Sequence, residues 1–176
     1  MRVCSYMHAL LIIGAGGHGQ VVAEVASACG YDKIDFLDDQ NKCAIGKIEE
    51  LDKYLDQYKE AFVGIGNNTL RAQLLQQLRD TGYKIPTLIH HTAYVSKSAK
   101  IQEDVIVEPK AIVNTHSSID AGSIISVGAI IDHDVCIGTC CHINAGAIIM
   151  AGSCIESYQK LDAGEVAKIK EEVAHG

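Results

Sequence analysis

The chain has 176 residues, enough for one or two domains with an ample core. A net charge of -7 argues against nucleic acid or an anionic membrane as partner, so a phosphate-bearing ligand must be held by local groups rather than by an overall field. Seven cysteines, odd in number and without C-x-x-C spacing, give no zinc or redox framework, and the longest apolar run, Ala9 to Ile13, is far too short to span a membrane, so the cytoplasm is the expected compartment.

Ala9 to Ile13 reads as a buried parallel strand. Gly14-Ala-Gly-Gly-His-Gly19 follows at once, and Val21, Val22, Val25 and Ala26 then give a helical period. Strand, glycine turn and helix is the setting that the G-x-G-x-x-G fingerprint requires: glycines let the backbone approach a phosphate, and the helix amino end offers free N–H groups. A second strand, Ile34 to Leu37, ends in Asp38-Asp39, about 20 residues past the glycines, where such folds place an acid on a ribose hydroxyl. The other reading of the two acids is a solvated turn.

Glu49 to Tyr58 reads as helix and Ala61 to Ile65 as a third strand. Asn67 to Thr69 are N-cap residues for a helix running through Leu70, Leu74, Leu75 and Leu78 to a stop at Gly82. Three or four parallel strands make half of a dinucleotide fold, so a mononucleotide joined to something smaller suits this region better than NAD. An NAD-dependent oxidoreductase is set aside, because the second half it needs would have to lie where a different pattern begins.

That pattern has a period of six. Ile89, Val95, Ile101, Val107, Val113, Ile119, Ile125, Ile131, Ile137, Ile143, Ile149, Ile155 and Leu161 keep one phase, with a small or slim residue four places after each up to Ser153. Gly122, Gly128, Gly146, Gly152 and Gly164 recur one place before that small position. This is a hexapeptide β-helix: three hexads close one triangular coil, aliphatics point inward, and residues 18 apart stack on neighbouring coils. Cys141 falls on the small inward position, as a buried thiol.

Outward positions carry the chemistry. Ile131-Asp-His-Asp134 sets His133 beside a carboxylate, His116 stacks under Asp134, and His142 lies on a later hexad. A carboxylate beside an imidazole makes a general base suited to neutral pH. A turn-capping role for His133 competes with that reading, and a metal site of His116, His133 and Asp134 would consume the same groups without supporting ligand spacing, so no metal is expected. Val166, Ile169 and Val173 indicate a C-terminal amphipathic helix covering the open end of the solenoid. The expected domains are therefore 1–86, Rossmann-like; 87–164, solenoid; and 165–176, capping helix.

With Gly14 to Gly19, Phe36-Leu-Asp-Asp39, Gly64-Ile-Gly-Asn-Asn68, Ile89-His90 and Ile131 to Asp134 in order, the chain resembles the bacterial sugar O-acyl/N-acyltransferases of the sialic acid O-acetyltransferase and UDP-4-amino-sugar N-acetyltransferase type. The resemblance implies an N-terminal half-Rossmann domain followed by a short left-handed parallel β-helix. It further implies a homotrimer, with acetyl-CoA bound between neighbouring solenoids and a UDP-linked amino sugar held by the N-terminal domain. Gly16, Gly17 and His18 match the family's phosphate and sugar contacts, Asp38 and Asp39 its uridine contacts, His133 its catalytic base, Asp134 the acid assisting it, and His142 a contact to acetyl-CoA. Relatives usually continue through several hexads after the position of Met150. Here Cys154 to Lys160 and a helix are expected in their place, which leaves a non-catalytic trimeric nucleotide-sugar-binding protein as the competing class beside sialic acid O-acetylation.

Overall fold

The computed structural model describes residues 8–168. Strand β1 (Ala9–Ile13) lies between β2 (Lys33–Leu37) and β3 (Glu60–Val63) in an all-parallel sheet of order β2-β1-β3. Helix α1 (Gly17–Ala28) follows β1, and α2 (Asn68–Thr81) follows β3. The unbroken apolar run of β1 has a two-sided cause. Leu10 and Ile12 pack with Val22 and Val25 of α1, whereas Leu11 and Ile13 pack with Leu74, Leu75 and Leu78 of α2.

Local signals end these elements as expected. Asn67 Oδ1 accepts from the Leu70 N–H at 2.9 Å, and Gly82 closes α2 in the left-handed region at φ 91°. The helix expected over 49–58 is instead a 3₁₀ helix at Ile48–Tyr54.

From Leu88 the chain winds through fourteen two-residue strands in three parallel ladders. The first ladder holds Leu88–Ile89, Ile106–Val107, Ile124–Ile125, His142–Ile143 and Lys160–Leu161; the second runs from Tyr94–Val95 to Val166–Ala167; the third from Lys100–Ile101 to Cys154–Ile155. Val107, Val113, Ile119, Ile125, Ile131, Ile137, Ile143 and Ile149 fill the interior. Shortening Ile131 to alanine is expected to cost about 2–5 kcal/mol, read from urea unfolding, because the coils above and below cannot collapse into the gap.

Every sixth residue from Asp104 to Gly164 has φ between 52° and 74°. Glycine takes that corner five times, but Asp104, Lys110, His116, Asp134, Cys140 and Tyr158 take it too. Asp and His tolerate this region better than most side chains do, so the corner that holds the solenoid's turns also holds two members of the candidate site.

Two expectations about the C-terminal part are corrected. Cys154 to Lys160 does not replace the hexads: Cys154–Ile155, Lys160–Leu161 and Val166–Ala167 extend the ladders above Cys136–Ile137, His142–Ile143 and Ile148–Ile149. The helix expected from residue 165 does not start there, because Val166–Ala167 is a strand and Ala167 joins the interior. The rest of that segment, 169–176, lies outside the described residues.

The two parts share one core. Leu88, Ile106 and Ile124, outward residues of the first ladder, are buried against Leu10, Ile12, Val22, Val25 and Phe62. The equivalent positions of the second ladder, Tyr94, Ile112, Ile130, Ile148 and Val166, are equally apolar but remain partly or fully exposed. Among the described residues no helix is long and apolar enough to cross a membrane.

Candidate active site

The glycines that follow β1 and β3 serve three different functions. A Cβ on Gly19 would lie 2.0 Å from the Gly14 carbonyl oxygen, and one on Gly64 would lie 2.8 Å from the Gly19 Cα, so these two let α1 approach β3 backbone to backbone. Gly14, at φ 102°, makes the turn itself. Gly16 and Gly17 face open space, with nothing within 4 Å of an added Cβ. Gly16 is the N-cap of α1 and no side chain caps that helix, so its first N–H groups are available to an anion.

Asp38 holds this turn in place. Its Oδ2 accepts from the Ala15 N–H at 2.8 Å, its Oδ1 accepts from Gln40 and Asn41 N–H at 2.8 Å each, and Asn41 Nδ2 donates back to the Ala15 carbonyl at 2.7 Å. Those N–H donors, Ala15 first, hold its carboxyl below the usual range. Asp39 accepts from the Ile48 N–H at 3.1 Å and is exposed.

His18, in the first turn of α1, meets His142 of the solenoid with ring centroids 6.2 Å apart. His142 also lies 3.3 Å from Ser126 Oγ through Nε2, while the buried His18 Nε2 has no hydrogen-bond partner. Burial, then neighbouring His142 and Arg71, push His18 down to about 4; burial, then Arg71 and Lys160, take His142 to about 4 against a smaller opposing effect of the Gly66 backbone. Both rings are therefore neutral at pH 7.

The sign of the linked stability change follows. Folded-state values near 4 lie below the ordinary 6.5, so the unfolded chain binds more protons between them. Stability present above about pH 6.5 is expected to fall as the pH drops toward about 4, seen as a lower urea midpoint, and His18→Asn should flatten that dependence.

His133 and Asp134 occupy the corner between the second and third ladders. His133 Nδ1 lies 2.7 Å from Asp134 Oδ2, with the side chains 54% and 58% exposed. A carboxylate only accepts, so Nδ1 carries the proton and Nε2 presents a lone pair. The Asp134 contact holds His133 above its ordinary value, and His133 in turn holds Asp134 below its own. His116 Nδ1 approaches the other carboxylate oxygen, Oδ1, at 3.5 Å, and Asp132 Oδ1 shapes the corner by accepting from the His133 N–H at 2.8 Å.

The predicted residues thus form two groups. His133, Asp134 and His116 make one; Gly16, Gly17, His18 and His142 make the other, with Asp38 and Asp39 beyond the glycine turn. Among the described residues no contact joins the groups within one chain. The α/β part covers the first ladder, and the corner that carries His133 is the vertex of the triangular coil opposite that face. Among the described residues no group of three His, Cys, Asp or Glu is arranged to hold a metal ion.

Residues 9–78 match the model of the PglD N-terminal domain family. The whole fold is similar to the acetyltransferase domain of PglB from Neisseria gonorrhoeae FA1090 in complex with acetyl coenzyme A: TM-score 0.88 and 35% identity, over 92% of this chain and 82% of that one. The chain belongs to the hexapeptide-repeat sugar O-acyl/N-acyltransferase family. This family member is also similar to PerB from Caulobacter crescentus in complex with CoA and GDP-perosamine, at TM-score 0.79 and 30% identity over 92% of this chain and 89% of that one. It is 32% identical over 112 residues to UDP-N-acetylbacillosamine N-acetyltransferase of Bacillus subtilis (strain 168), a match covering 57% of this chain and 51% of that protein. The chain therefore matches about half the length of that curated relative.

Beyond the motifs, this acyltransferase-family chain places Arg71, Asp104 and Ser126 in buried positions around the His18–His142 contact or behind it. Arg71 carried a readable signal. It stands at the same helical phase as Leu74, Leu75 and Leu78, where a core residue is expected, while Leu70 is exposed. Asp104 and Ser126 carried none, since a polar residue in a solenoid turn reads as solvated.

Proposed function

We propose that the protein transfers an acetyl group from acetyl-CoA to the amine of a nucleotide-linked amino sugar, with His133 as general base. The observation that carries this reading is the Nδ1–H to Asp134 bond at an exposed corner, which leaves Nε2 free to take a proton. The neutral sugar amine attacks the thioester carbonyl carbon, a C–N bond forms, Nε2 removes the amine proton, and collapse of the tetrahedral intermediate breaks the C–S bond. The proton then passes to the departing thiolate of CoA. Gly16, Gly17 and the start of α1 would hold the diphosphate, with His18 near the sugar, Asp39 toward the base and His142 beside the acetyl group. UDP is the expected nucleotide, and the cytoplasm the expected place of reaction in surface-glycan synthesis.

A single chain holds His133 and the glycine turn on opposite sides of its solenoid. A second copy is therefore needed to bring one chain's His133 to another's glycine turn, and the exposed apolar ladder from Tyr94 to Val166 lies between them. A homotrimer built on that ladder completes the site three times. Ile130→Asp is expected to yield a smaller species by light scattering, with His133 intact and acetyl transfer lost.

The function is tested by mass-spectrometric detection of acetylated product after incubation with acetyl-CoA and a panel of UDP- and GDP-linked amino sugars. Product from one panel member identifies the acceptor. UDP-sugar binding without any product from acetyl-CoA would instead establish a binding protein.

A further inference from the structure

Arg71 is 1% exposed in the middle of the junction between the two domains. Its guanidinium donates from Nε to the Gly122 carbonyl, from Nη1 to the Ile65 carbonyl at 2.9 Å, and from Nη2 to Asn68 Oδ1 at 2.8 Å and to the Cys140 and Cys141 carbonyls at 2.9 and 3.1 Å. Every partner is neutral. The carbonyls come from the β3–α2 turn and from two successive coils of the solenoid, so one side chain fixes how that turn sits against the coil that carries His142.

We infer that Arg71 is a positioning residue for the acetyl-transfer site: its guanidinium, buried and without an ion pair, pins the turn before α2 to two successive solenoid coils, one of which carries His142. The roles of the His18 and His142 rings rest on the transferase reading; the contacts do not.

The charge has no ionised partner. No ion pair to Arg71 forms among the described residues, and the buried carboxyl that faces it, Asp104, accepts from the Val63 N–H at 2.9 Å through Oδ1 while Oδ2 has no partner. Burial raises Asp104 to about 8, so at neutral pH it is mostly protonated. The Cys140 and Cys141 thiols beside Arg71 are also pushed up by burial and stay neutral. Burying a guanidinium without a counter-ion is costly, and a neutral side chain could have linked the same carbonyls less expensively. Burial is the larger cause of the lowered His18 and His142 values; the charge adds to it a positive field at both rings, to which Lys160 of the next coil contributes at His142. Neutral rings can offer one N–H to a bound carbonyl without adding two further cations 6.2 Å apart.

The test separates charge from geometry. Histidine ring titrations by NMR, without substrate, and pH profiles of kcat/KM are recorded for the parent, Arg71→Met, Arg71→Lys and Asp104→Asn. In Arg71→Met the His18 and His142 midpoints are expected to rise above about 4, with burial still holding them below 6.5, while the acid limb of the rate profile, set by His133, stays in place. Arg71→Lys keeps the charge but not the planar fork, so its midpoints stay near the parent's while kcat/KM falls by about 10²-fold through misplacement. Identical midpoints in the Met and Lys variants would overturn the inference. Should Arg71→Met fail to fold, Asp104→Asn decides. Unchanged midpoints support an uncompensated Arg71, and a downward move shows that an ionised Asp104 had been neutralising it, which overturns the inference. A parent that titrates as stated but forms no product refutes the transferase reading and leaves the charge assignment standing.

Discussion

His133→Ala is expected to lower kcat for acetyl transfer by about 10²- to 10⁴-fold, the usual contribution of a positioned general base, with the melting temperature unchanged. The two halves of that expectation have separate causes. His133 is more than half exposed, and the hydrogen bond it loses is to an equally exposed Asp134, so the solenoid core is untouched. In the proposed mechanism the reacting amine loses the group that accepts its proton.

Asp134→Asn sharpens the assignment. Asn tolerates the positive φ of 56° at this corner, so the backbone survives. The carboxylate that holds the His133 value up is gone, so the acid limb of kcat/KM is expected to move to lower pH. The plateau falls as well, since an amide can donate to Nδ1 and turn the proton to the wrong nitrogen. An acid limb that stays in place in Asp134→Asn would show that a group other than His133 limits the rate.

The second large effect is structural. Gly19→Ala is expected to destabilise the N-terminal domain by about 3 kcal/mol or more, because the new methyl meets the Gly14 carbonyl oxygen at 2.0 Å, backbone that cannot step aside as a side chain would. Gly64→Ala meets the Gly19 Cα and Ile12 and should behave alike. Gly17→Ala provides the contrast. Its methyl enters open space, so the urea midpoint is expected to hold while the KM for the nucleotide sugar rises, because the phosphate loses its close approach to the helix amino end. Equal stability losses in Gly17→Ala and Gly19→Ala would remove the distinction between packing and ligand-facing glycines.

Much of this was legible in one dimension. The hexad phase from Ile89 to Leu161 specifies the solenoid, because each coil repeats the same inward demand every six residues and the register of 18 follows from three sides. That register alone places His116 under Asp134, and their 3.5 Å approach is its consequence. The run Ala9 to Ile13, followed by Gly14 to Gly19, likewise announces a buried strand and a phosphate-competent turn. Each of these signals is local: a period, a strand, a turn or a pair one coil apart.

What the sequence could not decide depends on which distant surface a side chain meets. Leu70 and Arg71 are neighbours on one helix, and only the docking of α2 on the turns at Gly122 and Cys140 makes the arginine the buried one, because the Gly122, Cys140 and Cys141 carbonyls accept from its guanidinium there. Asp38, placed by spacing near a ribose, turns out to be largely occupied by backbone N–H groups of its own turn and of Ala15. The six glycine positions of the two βα turns look alike in sequence, yet their functions divide according to whether another backbone lies within 3 Å. Periodicity determined the scaffold and the corner that holds His133 and Asp134, whereas long-range packing decided which polar groups are buried, neutral and held in place, since burial and electrostatic field are properties of the assembled neighbours and not of the residue itself.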